Sequence, residues 1–201
     1  MSYVPITLPP PQVPGAFAAA MDSLRGVHMR PEVEVSEIPA PSRLAPHAYA
    51  LAGNVLPTHH TTDSALGTGR FVLLFDPEQP EPWGGPFRVV CYAQAPLELE
   101  IALDPFLSDV AWSWLIDALD ARGADYMAAS GTATKTFSTG FGELADEHDR
   151  THIELRASWT PLHTNVSAHL EGWSELLCML AGLPGVGEDS ARLRALRRSR
   201  G

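Results

Sequence analysis

Val13, Phe17, Ala20, Met21 and Leu24 recur at helical spacing, and Gly26 follows them. Residues three and four apart share one helix face, so this pattern predicts an amphipathic helix over 14–25. The period then shortens to two: Val33 and Val35 alternate with Glu32, Glu34 and Ser36, as in a half-buried strand. Residues 38–56 are mostly apolar but cut by Pro39, Pro41 and Pro46, which leaves an extended segment over 48–55. Residues 71–75 are apolar on both faces, the mark of a central strand, and 87–93 supply its antiparallel partner. Between them, 76–86 form a long connector stiffened by four prolines around Trp83. Residues 110–119 leave almost no polar face. That helix starts near Asp104-Pro105 or Ser108, and is either buried on most sides or half of an oligomer contact. A threonine-rich strand over 132–137 follows. Ile153, Leu155, Ala157 and Trp159 then alternate with Glu154, Arg156 and Ser158 in the clearest period-two run of the chain. The last helix covers 166–181 with Val166, Leu170, Trp173, Leu177, Leu180 and Ala181 inward, and stops at Gly182 and Pro184.

Strands that follow strands, with helices between the pairs, predict an α+β fold: an antiparallel sheet with helices mainly on one face. A phrase also recurs. Trp112-Ser113-Trp114-Leu115-Ile116 and Trp173-Ser174-Glu175-Leu176-Leu177 share Trp-Ser-x-Leu, and each follows a strand-like run that closes on Pro-Leu, at Pro96-Leu97 and Pro161-Leu162. The pattern suggests a duplicated strand-strand-helix unit, with chance similarity of two buried helices as the even alternative.

Composition adds limits. The chain has 201 residues with 45% hydrophobic content, enough for one core. The expected organisation is a proline-rich arm over 1–12, one α+β domain over 13–187 and a flexible arginine-rich tail over 188–201. A net charge of −10 disfavours generic contact with RNA or anionic lipid. No apolar run is long enough to span a membrane, and residues 1–21 lack the basic start of a signal peptide, so a cytoplasmic location is expected. Cys91 and Cys178 sit in apolar contexts and are expected to be buried free thiols.

Candidate chemistry is sparse. His59, His60 and Asp63 invite a metal reading, but prolines and threonines deny them a shared helix face, so solvated loop residues are the plainer reading. His163 and His169 are read as surface residues. No nucleophile elbow, phosphate loop or cofactor fingerprint occurs, which leans away from an enzyme. Trp83, on a rigid Pro/Gly loop, could anchor a partner or fold over the core. Arg88, Glu154 and Arg156 are placed on the non-core face of the sheet, where solvated cross-strand pairing is the plainer reading. Arg192, Arg194, Arg197, Arg198 and Arg200 could hold a nucleic-acid backbone, though no aromatic residues interleave them.

Glu37-Ile38-Pro39-Ala40-Pro41, Leu44-Ala45-Pro46, the 71–77 strand, Trp83-Gly84, Phe87-Arg88-Val89-Val90, Val110-Ala111-Trp112-Ser113-Trp114-Leu115, the 153–161 strand and Leu176-Leu177-Cys178 resemble an uncharacterised actinobacterial family, domain of unknown function 3000. The resemblance implies a single-domain cytoplasmic protein without assigned activity or catalytic residues. Gene neighbours in that family, often a ribonuclease D-like protein, hint at RNA metabolism. Three functions are therefore carried forward. The first is a non-catalytic protein-binding or adaptor module with a protein partner or a homodimer contact through the apolar helix. The second is an RNA-metabolism accessory factor using the arginine tail. The third is an enzyme or small-ligand binder with a site near Trp83 and the sheet. No cofactor or metal is implied.

Overall fold

The computed structural model describes residues 13–56, 66–144 and 150–185. The proline-rich arm, the His59/His60/Asp63 cluster and the tail arginines 192, 194, 197, 198 and 200 lie outside the described residues. The fold is α+β, with six strands, β1 (Val33–Ile38), β2 (His47–Val55), β3 (Gly67–Phe75), β4 (Phe87–Leu97), β5 (Tyr126–Ser138) and β6 (Arg150–Pro161). They pair antiparallel throughout in the order β1-β2-β3-β4-β6-β5. Among the described residues, four α-helices, α1 (Gly15–Leu24), α2 (Leu99–Ala102), α3 (Leu107–Ala121) and α4 (Ser167–Leu180), pack mainly against one face.

Strand alternation decides which face that is. Phe71, Leu73 and Phe75 of β3, Phe87, Val89 and Cys91 of β4, and Ile153, Leu155 and Trp159 of β6 all turn inward and are fully or nearly fully buried. Helix α4 lies over β1 to β4 and against α3, so it is buried nearly all round. Its Trp173 rests where β2 and β3 pair glycine with glycine, Gly53 opposite Gly69. A Cβ on Gly53 would lie 2.7 Å from Trp173 Cη2, and one on Gly69 would lie 2.6 Å from both Leu177 Cδ2 and the Tyr92 carbonyl oxygen. Gly69 thus lies within β3 and must stay bare to admit α4. Because the Tyr92 carbonyl belongs to the sheet and cannot step aside, Gly69→Ala is expected to destabilise the protein by about 2 kcal/mol through overpacking. A urea midpoint unchanged from the parent would contradict this.

The two tryptophans of the recurring phrase occupy comparable places on the sheet. The β3-β4 and β6-β5 hairpins lie side by side with β4 and β6 in contact. Trp112 of α3 sits over Gly131 of β5, 2.7 Å from where a Cβ would be, as Trp173 of α4 sits over Gly69 of β3. Each tryptophan therefore stands on a glycine of the other unit's outer strand. The Pro-Leu marks are not equivalent, because Pro96 is exposed and Pro161 buried.

Several local expectations change. Asp104 Oδ1 accepts from the Phe106 N–H at 2.8 Å, closing a turn ahead of α3 rather than capping it, so the helix begins at Leu107. The short helix α2 precedes it. β5 is far longer than its threonine run and carries a bulge between Met127 and Ser130, with Ala128 at φ 51°. His169 is not a surface residue. It is 2% exposed, and its Nδ1 accepts from Trp159 Nε1 at 3.0 Å. His163 is exposed, 3.5 Å from Asp125.

A buried charge cluster ties the helix layer to the start of the sheet. Arg30 donates from Nε and Nη2 to both oxygens of Glu32 at 3.1 and 2.8 Å, and from Nη1 to Glu175 Oε1 at 3.2 Å and the Pro184 carbonyl at 2.9 Å. Arg122, at the end of α3, donates to Glu171 at 2.9 Å and to Glu175 Oε2 at 3.1 Å. The bidentate Arg30 partner holds the Glu32 carboxyl below its ordinary range. Both cysteines are free and buried, and burial pushes each thiol up to about 12. No helix among the described residues is long and apolar enough to cross a membrane.

Candidate functional site

The sheet face opposite the helices carries the even-numbered residues of β2, β3, β4 and β6. The register aligns them in rows across the strands. One row runs Ala52, Arg70, Tyr92, Arg156 and Thr132; the next runs Asn54, Thr68, Gln94, Glu154 and Thr134. Of these, Ala52, Arg70, Tyr92, Arg156, Asn54, Thr68 and Gln94 line a concavity of about 660 Å3. Glu154 Oε1 forms an ion pair with Arg156 Nε at 2.7 Å, and the guanidinium lies 5.8 Å from the centre of the Tyr92 ring. The single phenol proton of Tyr92 is shared between Gln94 Oε1 at 2.6 Å and Glu154 Oε2 at 3.1 Å. Burial, then the Glu154 carboxylate, raises the Tyr92 pKa and keeps the phenol neutral.

Arg88, Glu154 and Arg156 do share this face, as the alternation predicted. Glu154 and Arg156 pair along one strand rather than across two. Arg88 is not solvated. It is 9% exposed and donates only to neutral oxygens: Ala128 and Ser158 carbonyls, the Thr160 and Ser158 hydroxyls at 3.0 and 2.6 Å, and the Ser130 hydroxyl at 3.4 Å. Burial pulls its pKa below the ordinary arginine value. Its bond to the Ala128 carbonyl holds the β5 bulge in place, so Arg88 is a structural cation. Trp83 joins the same end of the sheet through its backbone, whose carbonyl accepts from the Thr160 hydroxyl at 2.6 Å. Its side chain is half-buried.

A second feature escaped the sequence reading. Leu99, Ile101, Leu103, Phe106 and Val110 are all exposed, Leu103 and Phe106 by 65% and 67%. They form a ridge along α2 and the start of α3. The ridge adjoins an apolar groove of about 220 Å3 lined by Leu97, Ile101, Leu107, Trp114, Met179 and Leu180. Exposed Glu98, Glu100, Asp104 and Asp109 stand among these side chains. The only lysine, Lys135, donates to the Asp104 carbonyl at 2.9 Å. The missed signal was α2 itself: four residues are too few to show periodicity.

The family described as protein of unknown function (DUF3000) matches residues 13–189. The chain belongs to the DUF3000 family. Membership covers the whole sheet, all four helices and both surface features, and it assigns no activity to any of them. No curated protein and no solved structure matches the chain. Among the described residues of this DUF3000 protein, no group of three or more His, Cys, Asp and Glu side chains is placed to hold a metal ion.

Proposed function

We propose that the chain is a non-catalytic protein-binding module that docks a basic, amphipathic segment of a partner protein on the α2–α3 ridge. The observation that carries this is the run of five exposed large apolar side chains within twelve residues. Single exposed leucines are ordinary on any surface, whereas a contiguous patch beside an apolar groove marks an interaction surface. Charge selects the occupant. Glu98, Glu100, Asp104 and Asp109 among the ridge residues favour a partner that brings lysine or arginine alongside its own apolar face. A second copy of this chain fits less well, because a two-fold contact would set the same four carboxylates against themselves. The same carboxylates repel a nucleic-acid backbone.

The test uses the full chain and a fluorescent amphipathic helix with leucine on one face and arginine on the other. Binding is expected, weakened by salt, and lowered at least tenfold in the Leu103→Ser/Phe106→Ser variant, since each buried large side chain is worth about 1.5–3 kcal/mol. Equal binding of the glutamate version of the peptide would overturn the reading. So would a concentration-dependent dimer that Leu103→Ser/Phe106→Ser abolishes, which would make a second copy the occupant.

A further inference from the structure

The open sheet face is independent of the ridge, and we infer that its concavity is a binding site for a small organic oxyanion, a phosphate or carboxylate held between Arg70 and Arg156. Three observations lead there. First, the two arginines flank Tyr92 in one cross-strand row, so two strand spacings set their Cα atoms about 10 Å apart. Side chains of that length converge readily on one anionic group above the ring.

Second, the arginines differ in how they are held. Arg156 is fixed through Nε by Glu154 and lies against the Tyr92 ring, while Glu154 and Tyr92 are themselves linked by a hydrogen bond. Among the described residues, no hydrogen bond engages its two terminal nitrogens, the fork that binds an oxyanion in bidentate fashion. Arg70 makes no hydrogen bond or ion pair with any described residue. Two arginines and no carboxylate line the concavity among the described residues, and the adjoining Glu154 is already engaged by Arg156 and the tyrosine hydroxyl, so the site is locally positive on a chain of net charge −10.

Third, the concavity has the composition of a ligand site. Ala52 and Val90 give it an apolar floor, while Asn54, Thr68 and Gln94 offer neutral donors and acceptors at one end. Its 660 Å3 lies within the range of small-molecule sites. An anionic head between the arginines would leave the body of the ligand over Asn54 and Gln94, whose amides read hydrogen-bonding edges.

Isothermal titration of the full chain with adenosine monophosphate, inorganic phosphate and succinate separates the sources of the anion. Binding of either phosphate compound assigns a phosphate, and binding of succinate alone assigns a carboxylate. In either case affinity is expected to fall at least tenfold in Arg70→Ala and in Arg156→Ala, with Arg156→Lys between parent and alanine because it keeps the charge and loses the fork. Circular dichroism checks that the variants remain folded. Leu103→Ser/Phe106→Ser should leave this binding unchanged, which keeps the two surfaces distinguishable. No heat with all three compounds, or undiminished binding in Arg70→Ala/Arg156→Ala, would overturn the inference. Binding of oligouridine without binding of the small anions would also overturn it, in favour of a nucleic-acid platform.

Discussion

Glu175→Ala is expected to cost about 3–5 kcal/mol of stability, the usual penalty for removing one member of a buried ion pair. Among the described residues, the Glu175 carboxylate alone joins both arginines of the cluster, accepting from Arg30 on one oxygen and Arg122 on the other. Arg30 is 9% exposed, so losing Glu175 leaves a guanidinium in the interior with Glu32 as its sole carboxylate partner. The contrast is Glu171→Ala. Among the described residues Glu171 pairs only with Arg122, and both side chains are about a quarter exposed, so that change should cost at most about 1 kcal/mol. Urea denaturation of the two variants checks the difference. Equal small losses would mean that water already reaches the cluster.

Acid should weaken the protein through His169. Burial holds the His169 pKa down at about 4 against an ordinary 6.5, a pull that Asp125 opposes only in part. Its Nδ1 must also stay unprotonated to accept from the Trp159 indole. In the fold, then, the ring remains neutral as pH falls, while in the unfolded chain it takes up a proton from about 6.5 downward. The unfolded state binds more protons across that window, so stability falls with falling pH between about 6.5 and 4 and this contribution is lost by pH 4. A depression of that size corresponds to about 3 kcal/mol. His169→Gln keeps an acceptor for the indole and removes the titration. Denaturation midpoints from pH 7 to 4 should therefore separate the two proteins, and parallel pH profiles would count against this role for His169.

Why the strands were legible and His169 was not follows from the physics of each. Ile153, Leu155, Ala157 and Trp159 alternate because one side of β6 faces helices and the other faces water, so the solvent boundary is written in the residue types. The same alternation placed Arg88, Glu154 and Arg156 on one face. It could not show that Arg88 is buried, because that depends on the Ala128 bulge, Ser130 and Thr160 arriving from β5 and β6. His169 looked exposed because histidine at a helix start usually is. Its burial depends on Trp159 lying beneath it, a contact the linear sequence does not display. Glu175 reads as the polar face of a helix until α3 and Arg30 cover that face. β5 was underestimated because Met127, Ala128, Ala129, Ser130 and Gly131 carry little strand preference, and Gly131 is required by the Arg156 carbonyl of β6 and by Trp112, 2.6 and 2.7 Å from where a Cβ would lie.

The dominance of α4 has a consequence for synthesis on the ribosome. Helix α4 is the last described element, yet it covers β1 to β4, and its Glu175 closes on Arg30, 145 residues earlier. As the chain emerges, the first four strands can pair as successive antiparallel neighbours, but their inward faces lack the cover of α4. The glycine seat at Gly53 and Gly69, the aromatic side chains beside it and the Arg30 guanidinium all wait in water until nearly the whole sequence has been made. Contacts this distant in sequence are slow to form, and exposed apolar sheet is prone to aggregate meanwhile. For this fold the vulnerable moment is the interval between the appearance of β4 and the arrival of Trp173.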